Sequence, residues 1–140
     1  KIDGKTVQCD YLELGNPGLP HAVVLLDGDC AMTQEALREL GRKLRANSAF
    51  PKGANVNFCR VIGENEVEEL TYERGVEDFT LACGTGSCAA LVAASLCGMT
   101  GREAEIELDG GVLHDRWDDR TGHVFMTGPA AFVFDGEYEA

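Results

Sequence analysis

Hydrophobic and polar positions alternate along much of the chain, which is the pattern of half-buried β-strands. Breaks rich in glycine and proline, such as residues 15–20, separate these stretches and act as turns. The glycine pair in residues 109–111 is typical of a tight hairpin turn. The pattern predicts strands over residues 6–14, 21–26, 55–62, 67–73, 104–108, 112–117, 123–127 and 131–134.

Two segments have helical patterns instead. Apolar residues recur at helical spacing from Thr33, a suitable N-cap, to about Asn47, which predicts an amphipathic surface helix. Residues 87–97 are small or apolar throughout, and alanine, the strongest helix former, predominates. A helix that is apolar on every side must be buried on every side. We therefore predict an α+β fold in which an antiparallel β-sheet or barrel wraps around this central helix.

The start of the central helix carries the most promising chemistry. Cys83, Gly84, Thr85 and Gly86 precede or form its first turn, where backbone N–H groups lack intrahelical partners. Those donors and the helix dipole favour an anion such as a carboxylate. The same field lowers the pKa of a thiol, so we expect Cys83 to have thiolate character. The alternative is that Cys83 is a small buried hydrophobic residue and that the glycines only shape a turn.

Composition narrows the classes of partner. The 140 residues include 24 acidic and 12 basic side chains, for a net charge of −12. This balance, without any basic run, argues against binding to nucleic acid. No segment is of the signal-peptide or membrane-spanning type, so no membrane partner is expected. The length suits one domain with a sizeable core.

The six cysteines show no C-x-x-C spacing, so neither a zinc site nor a redox pair is predicted. Reduced thiols in a cytoplasmic protein are the better interpretation. Cys88 and Cys97 fall within the apolar helix, and we expect both to be buried and inert.

Five blocks of sequence, in the same order, resemble the C-terminal half of the diaminopimelate epimerase family. Two are highly specific, namely Tyr72-Glu73-Arg74-Gly75 and the segment 80–86 around Cys83. The other three are residues 20–23, 50–58 and 123–130, so the resemblance covers nearly the whole chain.

The resemblance implies a two-base epimerase that needs neither a cofactor nor a metal. In that family two similar domains face each other across a cleft, and each supplies one cysteine. One cysteine acts as thiolate base and the other as thiol acid, on opposite faces of the substrate α-carbon. The implied substrate is a small amino-dicarboxylate, and the implied reaction interconverts LL- and meso-diaminopimelate for lysine and cell-wall precursor biosynthesis.

Three catalytic roles follow from the resemblance, position by position. Cys83 is implied to be the acid/base of this half, Glu73 to receive the substrate amino group, and His21 to support the cysteine of the other half. The plainer alternatives are an exposed strand-end Glu73 and a satisfied core histidine at His21.

The resemblance also implies a set of substrate contacts. Gly84 and Thr85 contribute to the carboxylate cradle, Arg74 pairs with the distal carboxylate, and Asn55 hydrogen-bonds the same distal end. The alternatives are that Arg74 is an exposed residue at a strand end and that Asn55 is a turn residue.

The chain departs from the family pattern near His21. The usual Gly-Asn-Pro-His is replaced by Gly15-Asn16-Pro17 followed by Gly18-Leu19-Pro20-His21. Either Asn16 keeps the role of the family asparagine across an insertion, or Leu19 takes that position without a gap. Phe79 also stands where an acidic residue is more usual. Both departures bear on which substrate is bound.

The resemblance leaves the N-terminal domain of the family without a counterpart among the 140 residues. We therefore expect residues 1–140 to be a single domain that is inactive in isolation and needs this missing partner domain. A homodimer in which two copies of Cys83 face each other is a further possibility. Competing hypotheses are a carboxylate-binding module without turnover, a related racemase with another substrate, and a hydrolase using Cys83 and His21.

Overall fold

The computed structural model describes residues 1–139. Its helices and strands follow the order that the sequence pattern predicts as far as residue 127. In chain order they are β1 (Asp10–Leu14), β2 (Leu19–Leu25), α1 (Gln34–Arg45), β3 (Asn55–Gly63), β4 (Glu66–Glu73), β5 (Asp78–Phe79), α2 (Gly84–Leu96), β6 (Glu103–Leu108), β7 (Gly111–Trp117) and β8 (Val124–Thr127).

The strands form one curled sheet in the order β1-β2-β3-β4-β6-β7-β8, and β5 pairs with β4 beside this path. Most neighbours are antiparallel, but β2 pairs with β3 and β4 pairs with β6 in parallel. Parallel neighbours need a long crossover, and α1 and α2 are those two crossovers. The predicted α+β fold with a sheet wrapped around a helix is confirmed, although the sheet is mixed rather than antiparallel throughout.

Helix α2 lies inside the curl of the sheet and contacts seven of the strands. Residues 89–94 are all buried, and Leu91 packs with Val23 of β2 and Ile106 of β6 in one core cluster. The last turn is not covered, since Leu96 is 66% exposed and Cys97 is exposed. The prediction that Cys97 is buried was therefore wrong.

Helix α1 packs on the opposite face of the sheet. Thr33 caps it by accepting a hydrogen bond from the Ala36 N–H at 3.2 Å, as the sequence predicts. A Cβ on Gly41 would lie 3.0 Å from the Tyr72 ring, so the close approach of α1 to β4 depends on this glycine. Neither helix of residues 1–139 is long and apolar enough to span a membrane.

The strand predicted at residues 131–134 is not formed. Phe132 is 94% exposed, and Val133 and Phe134 are similarly exposed. Apolar alternation produces a strand only where a sheet edge is available for pairing, and this segment pairs with none of the described strands. Conversely, the acidic loop after Arg74 contains the short strand β5, which its sequence does not indicate.

Candidate active site

Cys83 is the N-cap residue of α2, with extended backbone angles of φ −134° and ψ 108°. Its carbonyl accepts the Ser87 N–H at 2.9 Å and so closes the first helical turn. The N–H groups of Gly84, Thr85 and Gly86 lie within that turn, before the first intrahelical bond. This is the backbone geometry on which the predicted carboxylate cradle depends.

A chain of polar side chains leads from Cys83 into the core. The Cys83 Sγ lies 3.7 Å from the Thr85 Oγ1, and that hydroxyl lies 3.0 Å from the His21 Nε2. The other ring nitrogen, His21 Nδ1, lies 2.8 Å from the Asn57 Oδ1. His21 and Asn57 are both completely buried. The thiol is therefore linked to a buried imidazole through one hydroxyl.

The role that the resemblance implies for His21, support of a cysteine of another domain, stays a prediction. Here His21, on β2, is bonded to Thr85 at the start of α2. Burial lowers the pKa of His21, and Arg74 lowers it further, while Asn57 and Glu73 oppose the shift. The imidazole is therefore neutral at pH 7 and able to accept a proton.

The expected thiolate character of Cys83 is wrong for the described structure. Burial raises the pKa of the Cys83 thiol, and the carboxylates of Glu73 and Glu69 raise it further. The Thr85 hydroxyl and the Gly86 N–H act in the opposite direction but do not outweigh burial. The resting thiol is therefore protonated at neutral pH and needs a base to become a nucleophile or a proton acceptor.

Cys88 lies one turn further along α2 and is half-buried rather than fully buried. Burial and the neighbouring Asp115 raise the pKa of Cys88 to about 12. Such a thiol stays protonated over the physiological range, which agrees with the expected inertness of this residue.

Glu73 and Arg74 stand at the end of β4. The Glu73 Oε2 accepts a hydrogen bond from the Thr80 hydroxyl at 2.9 Å. The Arg74 guanidinium donates to the Lys52 carbonyl at 2.7 Å, and its backbone N–H donates to the Asn55 Oδ1 at 2.8 Å. Asn55 thus holds this strand end in place, and within residues 1–139 its amide nitrogen makes no hydrogen bond.

Asn16 and Leu19 occupy different settings. Asn16 lies in the exposed turn between β1 and β2, and no side-chain hydrogen bond within residues 1–139 joins it to the other site residues. Leu19 is the first residue of β2 and is two positions from His21, so the two residues share one face of the strand. The assignment of the family asparagine's role to Asn16 or to Leu19 stays a prediction.

The strand positions that complete the polar chain were not identified from the sequence. Asn57 on β3 donates to the Glu69 Oε1 at 2.9 Å and to the Thr71 Oγ1 at 2.7 Å, and the Thr71 hydroxyl also donates to Glu69. The signal was available, because polar residues recur at alternate positions, at Asn55 and Asn57 of β3 and at Glu69, Thr71 and Glu73 of β4, and alternate residues of a strand share one face.

Two open cavities differ in whether site residues line them. One of about 350 Å³ is lined by Thr85 and Cys88 from α2 together with Gly15 and His123 from the loops before β2 and β8. A larger one of about 440 Å³ is lined by residues such as Met32 and contains none of the predicted site residues. Residues 1–139 hold no group of three or more His, Cys, Asp or Glu side chains placed to bind a metal.

Solved structures with the same architecture define the fold class. A phenazine biosynthesis protein of the PhzF family from Bacillus anthracis aligns with a TM-score of 0.61 and 19% identity, over 87% of this chain and 40% of that one. A probable proline racemase from Agrobacterium radiobacter aligns with a TM-score of 0.58 and 15% identity, over 87% and 41% of the two chains. The chain therefore has the fold shared by PhzF proteins and proline racemases.

Sequence similarity identifies the family within this fold class. The sequence model described as Diaminopimelate epimerase matches residues 14–133. Diaminopimelate epimerases from Desulfovibrio desulfuricans and Bacteroides thetaiotaomicron are 41% and 43% identical over 98% and 94% of this chain. The chain belongs to the diaminopimelate epimerase family. It spans 45% and 47% of the length of those two relatives, which is about half.

Proposed function

We propose that this chain is the Cys83-bearing half of a cofactor-independent two-base epimerase that interconverts LL- and meso-diaminopimelate. The observation that carries the proposal is the position of the Cys83 thiol, at the start of α2 and one hydroxyl away from a buried imidazole. The family supports the substrate, because relatives at about 40% identity are named for diaminopimelate. The reaction would serve lysine and cell-wall precursor biosynthesis.

The protonated resting state of Cys83 suits the role of acid. A substrate carboxylate held by the N–H groups of Gly84 and Thr85 would bring its α-carbon close to the thiol. Cys83 would then deliver its proton to the planar intermediate, and in the reverse direction it would act as base through Thr85 and His21. A positioned acid or base of this kind contributes typically about 10²–10⁴-fold to the rate.

The charged side chains at the end of β4 complement an amino-dicarboxylate. We assign Glu73 to the substrate ammonium group and Arg74 to the distal carboxylate, with the free amide nitrogen of Asn55 as a donor at the same end. Arg74 is already oriented by the Lys52 carbonyl, so less side-chain freedom is lost when a carboxylate binds. We assign the remaining polar contact at the distal end to Asn16, which lies in the turn before β2.

Inversion also needs a second base on the opposite face of the α-carbon. Cys88 is unsuitable, because its pKa of about 12 keeps it protonated and it lies one turn along the same helix. We therefore propose that a partner domain supplies the second cysteine and that residues 1–140 alone are inactive. The six free cysteines suit a reducing compartment, so we place this activity in the cytoplasm.

The test follows α-proton exchange in heavy water with LL-diaminopimelate as substrate. The chain alone should exchange no deuterium, whereas addition of the N-terminal half of the Desulfovibrio desulfuricans relative should restore exchange and inversion. Cys83→Ala should abolish the restored activity. Cys30→Ala, at an exposed cysteine outside the site, is the matched control and should retain it.

The same experiment separates three of the other candidates. Exchange by the chain alone that rises steeply with protein concentration would point to a homodimer. Substrate binding without exchange in the reconstituted protein would point to a carboxylate-binding module, and exchange only with a different amino acid would point to a related racemase.

A further inference from the structure

The polar chain that starts at Cys83 continues past His21 to a buried carboxyl group. Glu69 on β4 is 1% exposed, and its Oε1 accepts hydrogen bonds from Asn57 and Thr71. Its other oxygen, Oε2, has no hydrogen-bond partner within the described residues. A buried carboxyl without a cationic partner is costly, and an apolar residue would satisfy packing alone at lower cost. Glu69 therefore calls for a reason beyond packing.

We propose that Glu69 is a positioning residue which, through Asn57, determines that His21 carries its proton on Nδ1 and presents an unprotonated Nε2 to Thr85. The catalytic meaning of this proposal rests on the proposed epimerase function, but the tautomer itself is a property of the chain alone.

The orientation of the Asn57 amide follows from the groups around it. One end of the amide faces the Glu69 Oε1 at 2.9 Å and the other faces the His21 Nδ1 at 2.8 Å. A carboxylate can only accept hydrogen bonds, so the NH₂ group must face Glu69. The amide oxygen therefore faces His21, and the Nδ1 atom must be the donor of that bond.

Thr71 does not specify this orientation without Glu69. A hydroxyl both donates and accepts, so the Thr71 Oγ1 could pair with either end of the Asn57 amide. Its hydrogen is committed because Thr71 donates it to Glu69. The Thr71 oxygen can then only accept from Asn57. Its contact therefore requires the same orientation of the Asn57 amide as the contact with Glu69. Among Glu69, Thr71 and Asn57, only the ionised Glu69 side chain accepts hydrogen bonds without being able to donate one.

The consequence reaches Cys83 through two further hydrogen bonds. With its proton on Nδ1, a neutral imidazole accepts at Nε2, so the Thr85 hydroxyl donates to His21 across 3.0 Å. The Thr85 oxygen is then left with lone pairs that can accept the S–H of Cys83 at 3.7 Å. When the thiol loses its proton, Thr85 takes that proton and passes its own to the His21 Nε2. The products are a thiolate and an imidazolium whose Nδ1–H still donates to Asn57.

Protonation of Glu69 does not remove its ability to position Asn57. Burial raises the pKa of Glu69 to about 7, and Asp115 and Asp109 add to the rise while Asn57 and Thr71 oppose it. A proton added at the unpartnered Oε2 leaves Oε1 free to accept from Asn57 and Thr71. The orientation of the amide is therefore preserved in both states.

The test is the tautomer of His21, measured by ¹H–¹⁵N correlation NMR of the imidazole groups of the full chain. The chain has three histidines, so single His114→Gln and His123→Gln variants assign the His21 signals. The wild-type protein should show one pattern, with a protonated Nδ1 and an unprotonated Nε2. A wild-type pattern with the proton on Nε2 would overturn the proposal without any variant at Glu69.

Two substitutions separate the accepting oxygen from the charge. Glu69→Gln keeps an oxygen that can accept from Asn57 and should preserve the single Nδ1–H pattern. Glu69→Leu removes it, and we expect loss of the single pattern in favour of a mixture of tautomers. Glu66→Leu, at an exposed position of the same strand, is the matched control and should leave the pattern unchanged.

Alkylation of Cys83 provides a second readout that a purely structural role would not change. Both Glu69 variants remove the negative charge, so the ratio of their rates reflects the accepting oxygen alone. Glu69→Leu should be alkylated several-fold more slowly than Glu69→Gln at neutral pH. Equal rates together with an unchanged tautomer in Glu69→Leu would refute the proposal. Neither readout needs substrate or a partner domain, so failure here is distinct from failure of the epimerase assay.

Discussion

At the scale of single residues, the environment of Cys83 matters more than its place at a helix terminus. The N–H groups of the first turn and the Thr85 hydroxyl favour the thiolate, but burial and two nearby carboxylates favour the thiol. The result is a protonated cysteine that the Thr85 hydroxyl links to a neutral imidazole. The same helix contains Cys88, whose pKa of about 12 keeps it protonated over the physiological range.

Substitution of Thr85 tests this balance. Thr85→Val keeps the shape of the side chain but removes the hydroxyl that lowers the pKa of Cys83 and connects it to His21. We expect the pH profile of Cys83 alkylation, followed by mass spectrometry, to move to higher pH. Thr100→Val, on the loop after α2, should leave the profile unchanged. In all variants Cys88 should react more slowly than Cys83, and the reverse order would contradict the described environments.

At the scale of elements, α2 is built from small residues because the curled sheet approaches it from nearly every direction. Gly86 shows how close this approach is, since a Cβ there would lie 2.5 Å from the Asn57 Nδ2 and 2.8 Å from the Thr71 Oγ1. The same lack of a side chain lets the first turn of α2 sit directly on the polar groups of β3 and β4. The absence of a side chain at Gly86 is therefore needed both for the packing of α2 and for the contact of its first turn with the polar site residues.

Enlargement of a buried alanine in α2 should destabilise the fold. Ala90 is completely buried in the core cluster with Leu91 and Ile106. Ala90→Leu should lower the free energy of unfolding by about 1–3 kcal/mol, because added methylene groups force the sheet outward. Leu96→Ala, at the exposed last turn, should change it by less than about 0.5 kcal/mol. Urea unfolding measures both, and equal midpoints would show that α2 is not enclosed.

At the scale of the whole molecule, stability is coupled to buried carboxyl groups. Glu69 has a pKa of about 7 in the folded chain against an ordinary value of 4.5, and burial also raises the pKa of Asp115. Between pH 4.5 and 7, Glu69 therefore holds a proton in the folded state that it has released in the unfolded state. The stability contributed by protonated Glu69 is therefore complete below pH 4.5 and is lost as the pH rises through 7.

The substitution Glu69→Gln should remove this dependence. Relative to the variant, the wild-type protein should lose on the order of 3 kcal/mol between pH 4.5 and 7, since one pKa unit corresponds to about 1.4 kcal/mol. Asp115 titrates in both proteins, and its electrostatic coupling to Glu69 is part of the measured difference. Denaturant unfolding at a series of pH values measures it, with the exposed Glu66→Gln as control. Parallel curves for wild type and Glu69→Gln would mean that Glu69 titrates normally.

Much of the architecture could be predicted from local pattern. Alternation, apolar runs of strand length and turn residues located the first seven strands of the prediction, and the apolar run 87–97 marked the buried helix. Alternation does not specify which strand will be the neighbour, so the parallel pairs β2–β3 and β4–β6 were not predicted. It also does not specify whether a neighbour exists, which is why residues 131–134 were wrongly assigned to a strand.

The candidate site likewise has a part that local sequence motifs predict and a part that depends on tertiary packing. The Cys83-Gly84-Thr85-Gly86 segment and the Glu73-Arg74 pair are local, and together with three further blocks in the same order they indicated the family to which the chain belongs. The protonation of Cys83 depends on burial, a quantity that exists only after packing. The bonds of His21 to Asn57 and Thr85 span 36 and 64 residues, and such separations carry no periodic signal. Folding brings them together because α2 is enclosed by the strands on which His21, Asn57 and Glu69 lie.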